Sequence, residues 1–316
     1  MSAFWRNVGS VLTGTVLAQI IPVAGSLVLA RQYAPTEFGI FSAWLGIALL
    51  LGVVLTGRFE TALAIVPDGE PRRIAVLSTL ATTALAACVA AVVCGISVHL
   101  MPVIGDHLPP SMMILLIPTA LAIASAQTWQ SWAAAEGRYS QLSSMRIAQA
   151  ASVTVGQIAI GTLNPSAIAL AVAHAAGVIA GLALSVYLMP PGVFPRNQAR
   201  QTVVNFWRQH HRFPMLSLPA DAINTAAAQL PVLLVAGRFG ADIAGLLAMT
   251  MRILGAPIGL LGKSVLDVFK RHAATSYRER GECRADYVRT FRVLATASLG
   301  FCVVMASLSE PFFAIA

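Results

Sequence analysis

An all-α fold that crosses a membrane several times is what this sequence predicts, and three observations predict it. Composition is the first: apolar residues make up 57% of the chain and charged residues 11%, with mean hydropathy +0.75. A soluble domain carries roughly half apolar and about a quarter charged residues, so this chain lacks the polar surface to cover itself in water. Run length is the second. In lipid every backbone N–H and C=O needs an internal partner, which leaves helices or closed barrels. Barrel strands alternate apolar and polar over about ten residues, whereas the runs here are longer and apolar all round. The third is the placement of the basic residues, which follows from the layout of the spans.

A span takes about 20 apolar residues, and the chain divides accordingly. The first covers 8–30; Arg6 precedes it with no cleavage pattern behind, so it reads as a retained span rather than a signal peptide. The second covers 39–56, and its apolar run continues past Arg58 and Glu60 to 66. The third covers 74–98 and the fourth about 111–135. Residues 147–195 hold no Asp, Glu, Lys or Arg and are too many for one span. Asn164-Pro165 breaks them into a hairpin of spans five and six, since proline pushes the residue before it out of the helical region. Span seven covers about 213–236, span eight about 243–265, and span nine starts near 293 and is still apolar at 316.

With a cytoplasmic N-terminus, the inner segments collect sixteen Lys and Arg, and the outer ones only Arg31 and Arg238. The positive-inside rule therefore orients the chain. The net charge of +8 falls to anionic membrane lipids as partners, without nucleic acid. Trp5, Trp129, Trp132 and Trp207 lie near inner helix ends, where an aromatic belt would place them. Cys88, Cys94 and Cys302 lie in apolar runs and read as buried small hydrophobes. With Cys283 they form no zinc or disulfide spacing, and no metal or cofactor is expected. Residues 196–213 suit a short interfacial helix, with Val203, Phe206, His210 and Phe213 on one side and Arg208 and Arg212 opposite.

An internal repeat is visible. Ala18-Gln19-Ile20-Ile21-Pro22, Arg31 and Phe38-Gly39-Ile40-Phe41 have counterparts in Ala228-Gln229-Leu230-Pro231, Arg238 and Ala244-Gly245-Leu246-Leu247. An offset of six spans inserts both copies the same way, so the lobes would be related by an axis along the membrane normal. Residues 1–190 are then a first six-helix lobe, 191–213 a basic cytoplasmic connector, and 214–316 the first three helices of an incomplete second lobe.

Two stretches also resemble a known family. Arg31-Gln-Tyr-Ala-Pro-Thr-Glu-Phe-Gly-Ile-Phe followed by Thr56-Gly-Arg-Phe-Glu-Thr-Ala is similar to the first hairpin of Wzx-type polysaccharide flippases. Phe213-Pro214, Ala228-Gln-Leu-Pro231, Gly240-Ala and Arg252-Ile-Leu-Gly-Ala-Pro257-Ile-Gly resemble the start of their second lobe. The resemblance implies the multidrug/oligosaccharidyl-lipid/polysaccharide exporter fold, two six-helix bundles around a central cavity. It implies transport, not catalysis, of undecaprenyl-pyrophosphate-linked oligosaccharide across a bacterial inner membrane. A polysaccharide polymerase and a chain-length regulator would be its partners.

Charges inside spans mark candidate sites, because each costs several kcal/mol unless it meets a cavity or a partner. Arg252 is the tenth residue of span eight, ~14 Å in at helical rise. Its planar fork matches phosphate oxygens, and a structural pair with Asp221 is the alternative. Arg58 and Glu60, two apart on a helix, would face different ways. Arg58 is a second substrate-binding candidate, unless span two ends near Thr56 and both residues lie at the inner interface. Asp221 and Glu60 are candidates for ion or proton coupling. Gln19 and Gln229, equivalent in the repeat, are candidates for binding sugar hydroxyls or for packing between helices. Lys263 reads as snorkelling to the interface. Gly177-x-x-x-Gly181 and Gly255-x-x-x-Gly259 are small-residue packing steps. Gly262-Lys263-Ser264 has Pro257 where a phosphate-binding loop needs glycine, so ATP binding is rejected.

Three rivals remain on the sequence. A multidrug exporter on the same fold would favour an aromatic cavity with isolated acids. A membrane-embedded glycosyl- or acyltransferase would need clustered acids or a His–acid pair, and neither motif is present. A non-transporting fragment or scaffold is the third.

Overall fold

The computed structural model describes residues 2–100, 109–192 and 199–252, together with Gly255 and scattered positions between 282 and 307. Among the described residues every regular element is helical. The helices are α1 (Ser2–Gln32), α2 (Pro35–Thr56), α3 (Glu70–Leu100), α4 (Pro110–Ala135), α5 (Tyr139–Gly161), α6 (Ala167–Leu188), α7 (Ala199–His210) and α8 (Leu218–Phe239). A further helical stretch, α9, covers 241–252. Pro35–Thr56, Glu70–Ile96, Pro110–Ala135, Ala167–Leu188 and Phe213–Phe239 are long and apolar enough to cross a membrane. The chain is thus a multi-pass helical membrane protein. Span nine, the second half of span eight, Lys263, Pro257 and most of the 266–292 loop lie outside the described residues.

Small residues set how closely the helices pack. In α6, a Cβ at Gly177 would lie 2.5 Å from the Val153 backbone, and one at Gly181 would lie 2.7 Å from the Gln149 Cβ. The expected Gly-x-x-x-Gly step therefore seats α6 directly on α5. Gly25 gives α1 the same intimacy with α5 at Thr154. The α5–α6 hairpin turns at Asn164-Pro165, and the Ser166 hydroxyl caps α6 by accepting from the Ala169 N–H at 3.3 Å.

The two larger of three apolar clusters hold the first six helices. Trp44, Phe38, Phe41 and Leu29 centre one of them, where the Trp44 indole donates to the Met112 carbonyl at 2.7 Å. Phe59, Trp129, Trp132, Met145 and Phe206 centre the other. Trp129 and Trp132 are consequently buried, not belt residues; their indoles donate to the Met189 carbonyl and to Glu136. Cys88 is exposed, on the outward apolar face of α3 with Leu85, Val89 and Val92, and Cys302 is exposed too. The expectation that these thiols are buried is corrected: their surroundings are apolar because lipid would cover them.

Of the two readings of span two, the shorter is the one observed. Its helix stops at Thr56, where Gly57 turns left-handed (φ 57°) and its N–H closes onto the Val54 carbonyl. Arg58 is left-handed as well (φ 60°), and a short 3₁₀ helix, Phe59–Ala64, follows. Arg72 clamps that helix. It donates to the carbonyls of Leu63 (3.1 Å), Val66 (2.7 Å) and Ala135 (3.2 Å) and pairs with Asp68. A residue read as an inner-surface charge is a buried staple, 5% exposed.

The repeat has a spatial counterpart where α2 crosses α9. A Cβ at Gly39 would overlap the Ala241 carbonyl, and one at Gly245 would overlap the Pro35 carbonyl. The two contacts are reciprocal, since a Cβ at either glycine would also crowd the backbone nitrogen of the other, at 2.9 and 3.1 Å, and the two glycines are 206 apart in the chain. Thr36 and Asp242, also 206 apart, hydrogen-bond across the same crossing.

Candidate functional site

Below that crossing lies a cavity of about 490 Å³, bounded by α1, α2, α5 and α6 on one side and by α8 and α9 on the other. Phe38 and Phe41 supply aromatic wall from the first turns of α2. Gln149 comes from α5, His174 from α6, Gln229 from α8 and Arg252 from the last described turn of α9. The Arg252 guanidinium lies 5.9 Å from the centre of the Phe38 ring, a cation–π contact. Among the described residues no carboxylate lines the cavity and none pairs with Arg252. This leaves a half-buried, charged donor beside a polarizable wall.

The alternative pair between Arg252 and Asp221 is not formed. Asp221, in the first turn of α8, instead forms an ion pair with Arg58 Nε at 2.8 Å. Arg58 Nη1 reaches Glu60 at 2.8 Å as well. The expectation that Arg58 and Glu60 face apart is corrected, because they do not lie on a continuous helix. The left-handed turn at 57–58 folds the arginine back over the 3₁₀ helix. Glu60 is buried (3% exposed) and Asp221 partly open (39%), so one cation serves two carboxylates at the α2–α8 junction. Among the six sequence candidates, only Arg252 and Gln229 line the cavity. Arg58, Glu60 and Asp221 form the separate ionic cluster. Gln19 belongs to neither; its side-chain oxygen is buried without a hydrogen-bond partner among the described residues.

Two cavity residues were not singled out from the sequence. His174 is an imidazole in the 49-residue stretch without charged side chains, 5.9 Å from Phe41 and 6.4 Å from Trp44 between ring centres. Such isolation in an apolar run was the available signal. Gln149 gave only a weak one, since α5 carries several polar residues.

The connector also contributes. Phe59, Phe206, His210 and Phe213 stack in sequence, with ring centres 5.4, 4.6 and 6.3 Å apart. Trp207 donates to the Thr82 hydroxyl at 2.7 Å. Helix α7 is thereby fixed to α3 and to the 3₁₀ helix that carries Glu60. Among the described residues no group of three His, Cys, Asp or Glu side chains is placed to hold a metal ion.

No family model and no curated relative matches the chain. Among solved structures it is similar to a MOP superfamily transporter from Pyrococcus furiosus (14% identity, TM-score 0.48, 86% of this chain and 71% of that one). It is also similar to MATE in complex with MaD3S (17%, 0.48, 98% and 73%) and to a single-substitution mutant of MATE (14%, 0.42, 98% and 75%). Likenesses of that depth carry no inference about ligand or residue roles.

Proposed function

We propose that this chain is a transporter subunit for a lipid-linked anion, with Arg252 holding the anionic head group in the cavity. The head would be a pyrophosphate-linked oligosaccharide, as the resemblance to Wzx-type flippases implies. One observation carries the reading: a half-buried guanidinium in the expected span eight lines a cavity that no carboxylate among the described residues lines. An arginine at mid-membrane costs about 2.5–3.5 kcal/mol on insertion scales. Phe38 offsets part of that cost, and an anionic ligand would offset more. The arginine keeps its charge, and its fork binds phosphate oxygens in pairs. A volume near 490 Å³ falls within the usual range for small-ligand sites. That suits a head group whose acyl tail stays in lipid.

The aromatic walls at Phe38 and Phe41 favour a second reading, export of an apolar drug. A cationic drug would need a counter-charge, and among the described residues no acid lines the cavity, while Glu60 and Asp221 are held by Arg58. The Arg58–Glu60–Asp221 cluster supports a coupling role instead. Protonating Glu60 or Asp221 would release one arm of Arg58 and loosen the α2–α8 junction.

Complementation of a flippase-deficient bacterium tests the main reading, using the full-length counterpart if this chain is a piece of a longer one. Arg252→Ala is expected to abolish surface polysaccharide while the protein stays in the membrane, and Arg252→Lys to restore it in part. Wild-type polysaccharide with Arg252→Ala would remove the arginine from the binding site.

A further inference from the structure

A hydrogen-bond relay ends on the cavity wall, and it starts from a group that can only donate. Arg146 Nε donates to Gln130 Oε1 at 3.3 Å, and Gln130 Nε2 donates to Gln149 Oε1 at 3.0 Å. Amide oxygens and nitrogens exchange places easily, but a guanidinium has no acceptor. Arg146 therefore obliges Gln130 to offer it the oxygen, which turns the Gln130 NH₂ toward Gln149. Gln149 must answer with its own oxygen, and its NH₂ is what remains for the cavity. Gly181 keeps the residue in place, because any Cβ there would collide with the Gln149 stem.

We infer that Gln149 is a specificity-determining residue whose oriented NH₂ donates to an anionic oxygen of the ligand held by Arg252. This deepens the proposed function and rests on it. The relay aligns two amide dipoles so that their positive ends point at the cavity, and this makes the wall donor-rich at a second point besides Arg252. A phosphoryl group and a sugar carboxylate both present oxygens of the required kind.

The test uses the full chain in nanodiscs and titrates inorganic pyrophosphate and glucuronate separately by calorimetry. Gln149→Ala should weaken the responsive probe about tenfold, as expected for a lost hydrogen bond to a charged group. Gln149→Glu has nearly the same shape but replaces donor by acceptor, and should abolish binding; Gln149→Lys should keep it within about threefold. Gln130→Glu still pairs with Arg146 but cannot donate, so it should turn the Gln149 amide around and weaken binding as much as Gln149→Ala. The probe that responds identifies the oxygen's source. A packing role predicts the opposite order, with Glu tolerated and Lys disruptive. Wild-type affinity in Gln149→Glu alongside lost binding in Arg252→Ala would overturn this inference alone. Unchanged affinity in Arg252→Ala, or a wild-type protein that binds neither probe, would overturn the proposed function with it.

Discussion

Arg58 shows how a single residue can hold a junction and how a sequence can mislead about it. Its left-handed backbone is unfavourable for an L-residue by about 1–2 kcal/mol, and two carboxylates keep it there. Removing one member of a buried pair leaves the other charge stranded, a loss of about 3–5 kcal/mol; partial exposure of Arg58 places this pair toward the lower end. Arg58→Ala is therefore expected to lower the midpoint of thermal unfolding in detergent more than Asp221→Ala does. Arg58→Ala combined with Glu60→Gln should recover most of the loss. Equal midpoints for the two single variants would show that Glu60 is not the dominant partner. In the sequence, Arg58 and Glu60 read as facing apart if the helix continues through them, since they are two residues apart, with an end near Thr56 as the alternative. Gly57 was the overlooked signal, since glycine just past a helix end supplies the left-handed closing residue. Arg252 and Gln229 were legible because polar groups stand out in apolar runs. Gln149 was not, because its part depends on a partner 19 residues away in the chain and on another helix.

At the scale of elements, the glycine crossing of α2 and α9 is the contact with the clearest mechanical consequence. Backbone meets backbone there at Gly39 and Gly245, so no side chain larger than hydrogen fits without parting the helices. Thr36 and Asp242 add a polar clasp beside it. Cysteines at 36 and 242 should react with a short bifunctional thiol reagent, and Gly245→Val should suppress that crosslink. Undiminished crosslinking in the valine background would mean that the crossing tolerates bulk and does not act as a seal over the cavity. The glycines were visible in the sequence as parts of a repeat, yet their mutual contact was not. A repeat gives equivalence, whereas contact depends on where the helices cross. The Gly177–Gly181 step was easier to read, because small residues four apart on one helical face have few other uses in lipid. Helix α7 was legible as amphipathic, but its aromatic stack onto Phe59 needs the tertiary fold to bring residues 147 apart together.

For the whole molecule, composition and run length were enough for a helical membrane protein, since lipid leaves the backbone so few alternatives. The asymmetry of basic residues predicts the loop at 137 in the cytoplasm and the hairpin at 166 outside. With the native cysteines replaced, an impermeant thiol reagent on intact cells should label a cysteine at 166 and leave one at 137 unlabelled; the reverse pattern would invert the orientation. Some of the basic residues behind that asymmetry do other work as well, Arg72 as a staple and Arg146 at the head of a relay. Basic residues that the positive-inside rule assigns to one side thus also build the interior. The central claim is that the cavity selects an anion through Arg252, and equilibrium binding to the purified chain in nanodiscs tests it most directly. Undecaprenyl pyrophosphate should bind the wild-type chain, bind Arg252→Lys more weakly and bind Arg252→Ala at least about tenfold more weakly, while a quaternary ammonium dye should not compete. Arg252→Ala binding the lipid as well as wild type does, or the dye displacing it, would contradict the account.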